Sequence, residues 1–219
     1  MDSEKINLVV VTSVIYPFHS SIYSPNERLK QLTDLTISSI YKKIPNPYIV
    51  VLEGSVLTKG EIAKLKESKI HNLLYFDIKN LHKSIGEATL ILNYLKSDYF
   101  NQLKAEKNIL TISKISGRYF LTEQHDFTNC PLDKILIRKK DTNTWSNQGI
   151  CDTRYYRFPF SYVDKFQKNL SEMLNDKGLY IDLEHSFYKY QIFEFDIIHN
   201  TDKINLSGNL APDGQEILD

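Results

Sequence analysis

The chain has 219 residues, 42% of them hydrophobic, and its 27 basic and 27 acidic side chains leave no formal net charge. That is enough apolar material for one sizeable core, so a single domain over 1–219 is expected. The balanced charge removes the Lys and Arg excess by which general nucleic-acid binders hold a phosphate backbone, and no nucleic-acid partner is expected.

In chain order, Met1-Asp2-Ser3-Glu4-Lys5 lacks the basic start of a signal peptide, and no stretch has the length of a membrane span. The expected location is cytoplasmic, with room left for peripheral membrane contact. Ile6 to Val14 is nearly continuous in apolar and β-branched residues, as in a strand buried on both faces of a parallel sheet. Ile15 to Glu27 carries Pro17, Ser20, Ser21, Ser24 and Pro25 and reads as a loop over the carboxyl end of that strand. A helix is expected from Arg28 to Lys42, ended by Pro45 and Pro47.

Tyr48 to Leu52 reads as a second buried strand, and Thr58 with Glu61 as a capping box for the helix after it. Leu73 to Phe76 gives a third strand, Ser84 with Glu87 a second capping box ahead of a helix to about Leu95, and Ile109 to Ile115 a fourth strand. Strands alternating with helices argue for right-handed crossovers and a mostly parallel sheet with helices on both faces. Beyond Phe120 the rhythm changes. Ile135–Arg138 and Arg154–Phe158 read as strands of a mixed or antiparallel part, Val163–Leu174 as a helix, Leu179–Phe193 as containing another, and Asn205–Asp219 as a loop or ordered flap. Cys130 and Cys151, the only cysteines, are too few and too far apart for a disulfide scaffold or a structural zinc site, and read as free thiols.

Several chemistries lack their residues. No glycine-rich run precedes Lys-Ser or Lys-Thr, no G-x-G-x-x-G follows the first strand, and no G-x-S-x-G elbow occurs. The six histidines show no paired-ligand spacing. What stands out is Ile112-Ser113-Lys114-Ile115-Ser116-Gly117-Arg118-Tyr119-Phe120-Leu121, an apolar run ending in a basic, glycine-containing turn. Ligands of open α/β sheets bind outside the carboxyl ends of the strands, so Lys114, Gly117 and Arg118 fall where an anion is expected.

Together, Val9-Val10-Val11-Thr12-Ser13, the helix start Lys83-Ser84-Ile85-Gly86-Glu87 and the segment Lys114–Tyr119 resemble nucleotide-sugar-dependent glycosyltransferases of the GT-A fold. The likeness is to small enzymes of bacterial surface-polysaccharide loci and large DNA viruses. The resemblance implies an α/β, Rossmann-related sheet with a nucleotide-binding half over about 1–121 and an acceptor-side half over about 122–219. It further implies a nucleotide-sugar donor, a glycan or lipid-linked acceptor, and a donor set of Thr12, Arg28, Lys83, Lys114, Gly117 and Arg118.

The family usually places a D-x-D pair at the end of the fourth strand, where Mg²⁺ or Mn²⁺ bridges the diphosphate. Here that place reads Ser116-Gly117-Arg118-Tyr119, and the need for a divalent metal stays open. Either Lys114 and Arg118 replace the metal by donating directly to phosphate, or the acidic pair has moved to Glu123, His125 and Asp126; the first is favoured, because a guanidinium grips phosphate in a bidentate manner at any working pH. Glu184, in Asp182-Leu183-Glu184-His185-Ser186-Phe187-Tyr188, is the candidate general base, and Arg118 the candidate stabiliser of the leaving group. Trp145, Tyr155, Tyr156 and Phe158 are candidates for an acceptor-stacking platform or for core, and Glu53 and Glu87 are secondary polar candidates. The alternative to an enzyme is a non-catalytic carbohydrate- or nucleotide-binding domain of the same fold.

Overall fold

Alternation along each buried strand decides how the molecule layers. In β1 (Lys5–Ser13), Leu8 and Val10 point to one face while Val9 and Val11 point to the other, and all four are buried. The same split divides β2 (Pro47–Glu53) into Val50 and Leu52 against Ile49 and Val51. Sheets covered on both faces need apolar residues at both parities, which is what the expected continuous runs supply. The structure, a computed structural model, describes residues 4–17, 21–78, 81, 83–140, 149–176, 183–192, 198–201, 203–209 and 216–218.

The first face is covered by α4 (Lys83–Leu95), α5 (Asp98–Glu106), α6 (Val163–Asn175) and α7 (Leu183–Phe187). The second is covered by α3 (Lys59–Glu67) and a long helical segment made of α1 (Pro25–Lys30), a π-helical stretch Gln31–Ile37 and α2 (Ser38–Lys43). This segment starts three residues before the expected Arg28. Ser24 and Glu27 form a full capping box around Pro25 at the first turn, so residues assigned to the loop are helical. Thr58 and Glu61 make the expected box on α3.

Strands β3 (Asn72–Tyr75), β4 (Asn108–Ser116), β6 (Ile135–Ile137), β9 (Tyr155–Pro159) and β10 (Ile198–Asn200) complete a seven-stranded sheet in the order β10-β6-β9-β4-β1-β2-β3. Only β9 runs antiparallel to its neighbours, β4 and β6. The change of rhythm after Phe120 therefore marks one reversed strand inside a mostly parallel sheet. β5 (Tyr119–Leu121), β11 (Leu206–Asn209) and β12 (Glu216–Leu218) form a small antiparallel sheet, and β7 (Lys139–Lys140) pairs with β8 (Ile150–Cys151). The tail expected as loop or flap thus contributes two strands, β11 laid against β5 and β12 against β11. Helix α5 was not expected, although Ser97 caps it through the Phe100 amide.

Arg157, on β9, is fully buried and ties the sheet to the 127–131 segment. Its Nη1 donates to the Phe127 carbonyl at 2.6 Å, its Nη2 to the carbonyls of Cys130 at 2.5 Å and Pro131 at 3.2 Å, and its guanidinium lies 4.5 Å from the Phe127 ring centroid. An Arg157→Ala change leaves a cavity and three carbonyls short of a donor. The expected loss is about 3–5 kcal/mol of unfolding free energy, read by denaturant titration.

Tyr155, Tyr156 and Phe158 are buried, and Tyr156 and Phe158 stack among Phe166 and Phe187. They are core rather than an acceptor platform; Trp145 lies outside the described residues. Both cysteines are buried free thiols. No helix among the described residues is long and apolar enough to cross a membrane.

Candidate functional site

The carboxyl ends of β1, β2 and β4 are level, with Thr12 opposite both Leu52 and Ser116, and Ser13 opposite Glu53. Because β9 is reversed, its amino end meets the same rim, where the Ser116 amide donates to the Arg154 carbonyl at 3.0 Å. Side-chain parity then sorts the polar residues. Thr12 follows Leu8 and Val10, and Lys114 and Ser116 follow Ile112, so these three face α4.

They meet one carboxylate there. Glu87 Oε1 accepts from Thr12 Oγ1 at 3.1 Å and from Ser116 Oγ at 3.0 Å, and it forms an ion pair with Lys114. Lys114 is only 2% exposed; besides Glu87, its ammonium meets Ser116 Oγ at 2.7 Å and the Thr153 carbonyl at 2.5 Å. All three of its N–H donors are thereby taken. Burial pushes the Glu87 carboxyl up, but Lys114, with help from Arg118 and Ser116, outweighs this and holds it below the usual carboxylate range. Glu87 was expected to cap its own helix. Its Oε1 reaches across to the sheet, and its expected capping partner Ser84, like Lys83, has its side chain outside the described residues.

The network continues towards the C-terminal half of the chain. Thr153 Oγ1 donates to Glu184 Oε1 at 3.0 Å, so a line of contacts runs from Thr12 and Ser116 through Glu87, Lys114 and Thr153 to Glu184 on α7. Glu184 is half-buried at the end of that line.

Two arginines stand apart from the network. Arg28, 8% exposed, donates from Nη1 to the Val14 carbonyl at 3.2 Å and from Nη2 to Ser21 Oγ at 2.6 Å, while its buried Nε meets no acceptor among the described residues. Arg118 is half-buried in the turn between β4 and β5, and its buried Nη1 also meets no acceptor among the described residues. Burial first, and then the like charge of Arg118, push Arg28 below its usual value, against the pull of Glu53. A pair of neighbouring guanidinium groups with unused donors favours an anion between them.

The helical segment on the other face fixes the turn that carries Arg118. Gln31 Nε2 donates to the Arg118 carbonyl at 2.6 Å, and Thr36 Oγ1 lies 2.8 Å from the Tyr119 carbonyl and 3.2 Å from that of Gly117. Both residues sit in the π-helical stretch, a feature that recurs at functional sites. Gly117 donates its amide to the Thr12 carbonyl at 2.8 Å, and a Cβ there would come within 3.0 Å of Leu32 Cδ1 and 3.3 Å of that same carbonyl. Glycine permits this approach of the two strand ends.

Glu53 is buried on the second face. Its Oε1 accepts from the amides of Ile15 at 2.9 Å and Ser55 at 3.0 Å and from Ser55 Oγ, which locks the loops after β1 and β2 together. Burial dominates and raises its pKa despite these bonds. It is a brace for the rim.

Of the expected residues, Thr12, Lys114, Gly117, Arg118 and Arg28 come to the same rim, and Glu184 joins it through Thr153. Lys114 differs from the expectation, since it faces Glu87 and not open space. Glu123, His125 and Asp126 do not converge: Glu123 pairs with Lys43 at 2.9 Å, His125 Nδ1 is 2.7 Å from the Ile204 carbonyl, and Asp126 caps the turn at Thr128. Among the described residues no group of three His, Cys, Asp or Glu side chains is placed to hold a metal ion. At the end of β4 the groups are a hydroxyl, a buried ammonium and a guanidinium around one carboxylate whose Oε1 already holds three partners, a set poor in the oxygen ligands that Mg²⁺ and Mn²⁺ require.

No protein-family model matches the chain, and no curated protein sequence matches it. Among solved structures it is similar to the glycosyltransferase GlyE of Streptococcus pneumoniae TIGR4, with a TM-score of 0.52 and 9% identity over 91% of this chain and 46% of that one. The chain spans a little under half the length of that protein. At such identity the likeness concerns architecture alone, and the architecture is an α/β, GT-A-like fold with a mostly parallel central sheet between helices.

Proposed function

We propose that the chain transfers a sugar, a hexose or deoxyhexose, from a nucleoside diphosphate sugar to a glycan or lipid-linked acceptor. The observation that carries this reading is the pair Arg28 and Arg118, which each keep a buried nitrogen without an acceptor among the described residues and lie at the rim where β1 and β4 end. In the proposed site, Thr12 and the backbone after β1 line the nucleotide pocket, Lys83 at the start of α4 belongs to the donor set, and Arg28 and Arg118 hold the diphosphate. Arg118 stabilises charge as the nucleoside diphosphate leaves. Glu184 takes the proton from the acceptor hydroxyl, and Thr153 orients its carboxylate. Lys114 acts indirectly, by fixing Glu87 and with it the ends of β1 and β4.

A second reading, a binding domain that turns nothing over, is favoured by one observation: the place of the family's acidic pair is Ser116-Gly117-Arg118. Release of nucleoside diphosphate from a panel of UDP, GDP and dTDP sugars, with and without oligosaccharide acceptors, separates the two. The transferase reading expects release from one donor class, while binding without release supports the binding domain.

A further inference from the structure

We infer that this chain holds its diphosphate ligand on the Arg28 and Arg118 guanidinium groups without a divalent ion, the Lys114–Glu87 pair filling the place a metal site would need. The inference rests on the reading of this rim as a nucleoside diphosphate site. Mg²⁺ and Mn²⁺ demand several oxygen ligands, with carboxylates supplying the negative charge. The only carboxylate that the described residues bring to Thr12 and Ser116 is Glu87, and its Oε1 already meets Thr12, Ser116 and Lys114. Lys114 in turn has no N–H left for a phosphate, since Ser116 and the Thr153 carbonyl take the other two. The pair is electrically neutral, and Glu87 Oε1 and the Lys114 ammonium are both fully engaged.

The charge outside it is different. Arg28 and Arg118 add two positive charges, and each has a buried nitrogen without an acceptor among the described residues. Placing a divalent cation beside them adds repulsion, whereas a diphosphate brings the acceptors and the negative charge that both lack. Burial keeps this complementarity from being screened by salt. The rim thus has a built-in cation where a metal-dependent site has carboxylates.

The test is calorimetric titration of the purified chain with UDP, GDP and dTDP, each in EDTA and in Mn²⁺. The inference expects one nucleotide to bind in EDTA with a Kd within about threefold of its value in Mn²⁺. It also expects Arg118→Ala to weaken that binding about tenfold or more, with Arg118→Lys in between because it keeps the charge and loses the fork. Thermal unfolding of both variants checks that they are folded. Binding that appears only with Mn²⁺ overturns the inference and leaves the nucleotide site standing; no binding in either buffer removes both.

Discussion

Replacing Glu87 by alanine lowers the unfolding free energy by about 3–5 kcal/mol, the largest stability effect expected of any site substitution here. The reason is the charge left behind. Lys114 is 2% exposed, and without Glu87 its ammonium keeps only a hydroxyl and a carbonyl. The melting temperature should fall by about 10 °C for a chain of this size. Lys114→Met in the Glu87→Ala background removes the stranded charge and recovers much of the loss, which a simple cavity effect would not allow.

The same pair sets a pH dependence. The Glu87 carboxyl titrates below its usual range in the folded chain, so its ionised form is favoured by folding. Its contribution is present above the unfolded carboxylate pKa of about 4.3 and is lost as pH falls through the lower folded value. The gap in stability between the native chain and Glu87→Gln should therefore shrink in that acidic window and stay constant above it.

Arg118→Ala lowers kcat/KM for the nucleotide-sugar donor by about a hundredfold, or about 2.7 kcal/mol of transition-state stabilisation. Both constants should move, because in the proposed site the guanidinium meets the diphosphate in the ground state and gains as charge builds on the leaving group. Glu184→Gln behaves differently: kcat falls by about a hundredfold or more while donor affinity is retained, since a base acts only in the chemical step. Equal losses in KM and kcat for both variants would mean that the two residues do not have separate roles.

How much of this was legible in the sequence depends on the range of the interaction. β1, β2 and β4 announce themselves because burial on both faces calls for apolar residues at both parities, α3 because of its capping box and α6 because of its local periodicity. The start of α1 was also local, in Ser24-Pro25-Asn26-Glu27, but its prolines and serines read first as loop. The short strands β5 and β11 are fixed by pairing with each other across more than 80 residues of chain, where no local pattern reaches, and β12 is laid on β11.

The site divides in the same way. The place of the proposed site at the strand ends follows from the order of elements and Arg118 from the basic turn after the fourth strand, whereas Thr12 and Glu184 were expected from the resemblance. The partner of Lys114 does not, because Ser84 and Glu87 form a plausible cap and nothing local says the carboxylate crosses to the sheet. One signal was present: Thr12 shares parity with Val10, and Lys114 and Ser116 share parity with Ile112, so polar residues end two apolar rows on the α4 face. Thr153 and Gln31 gave no comparable sign, since each acts through a loop or a helical irregularity.

The most direct measurement of the central claim is a ¹H–¹⁵N correlation experiment during titration with the nucleoside diphosphate that binds. The account predicts shifts at the amides of Thr12, Gly117 and Arg118 and at the Nε–H of Arg28 and Arg118, with the amides of α5 unmoved. Shifts confined to another surface, with Arg28 and Arg118 unchanged, would contradict it.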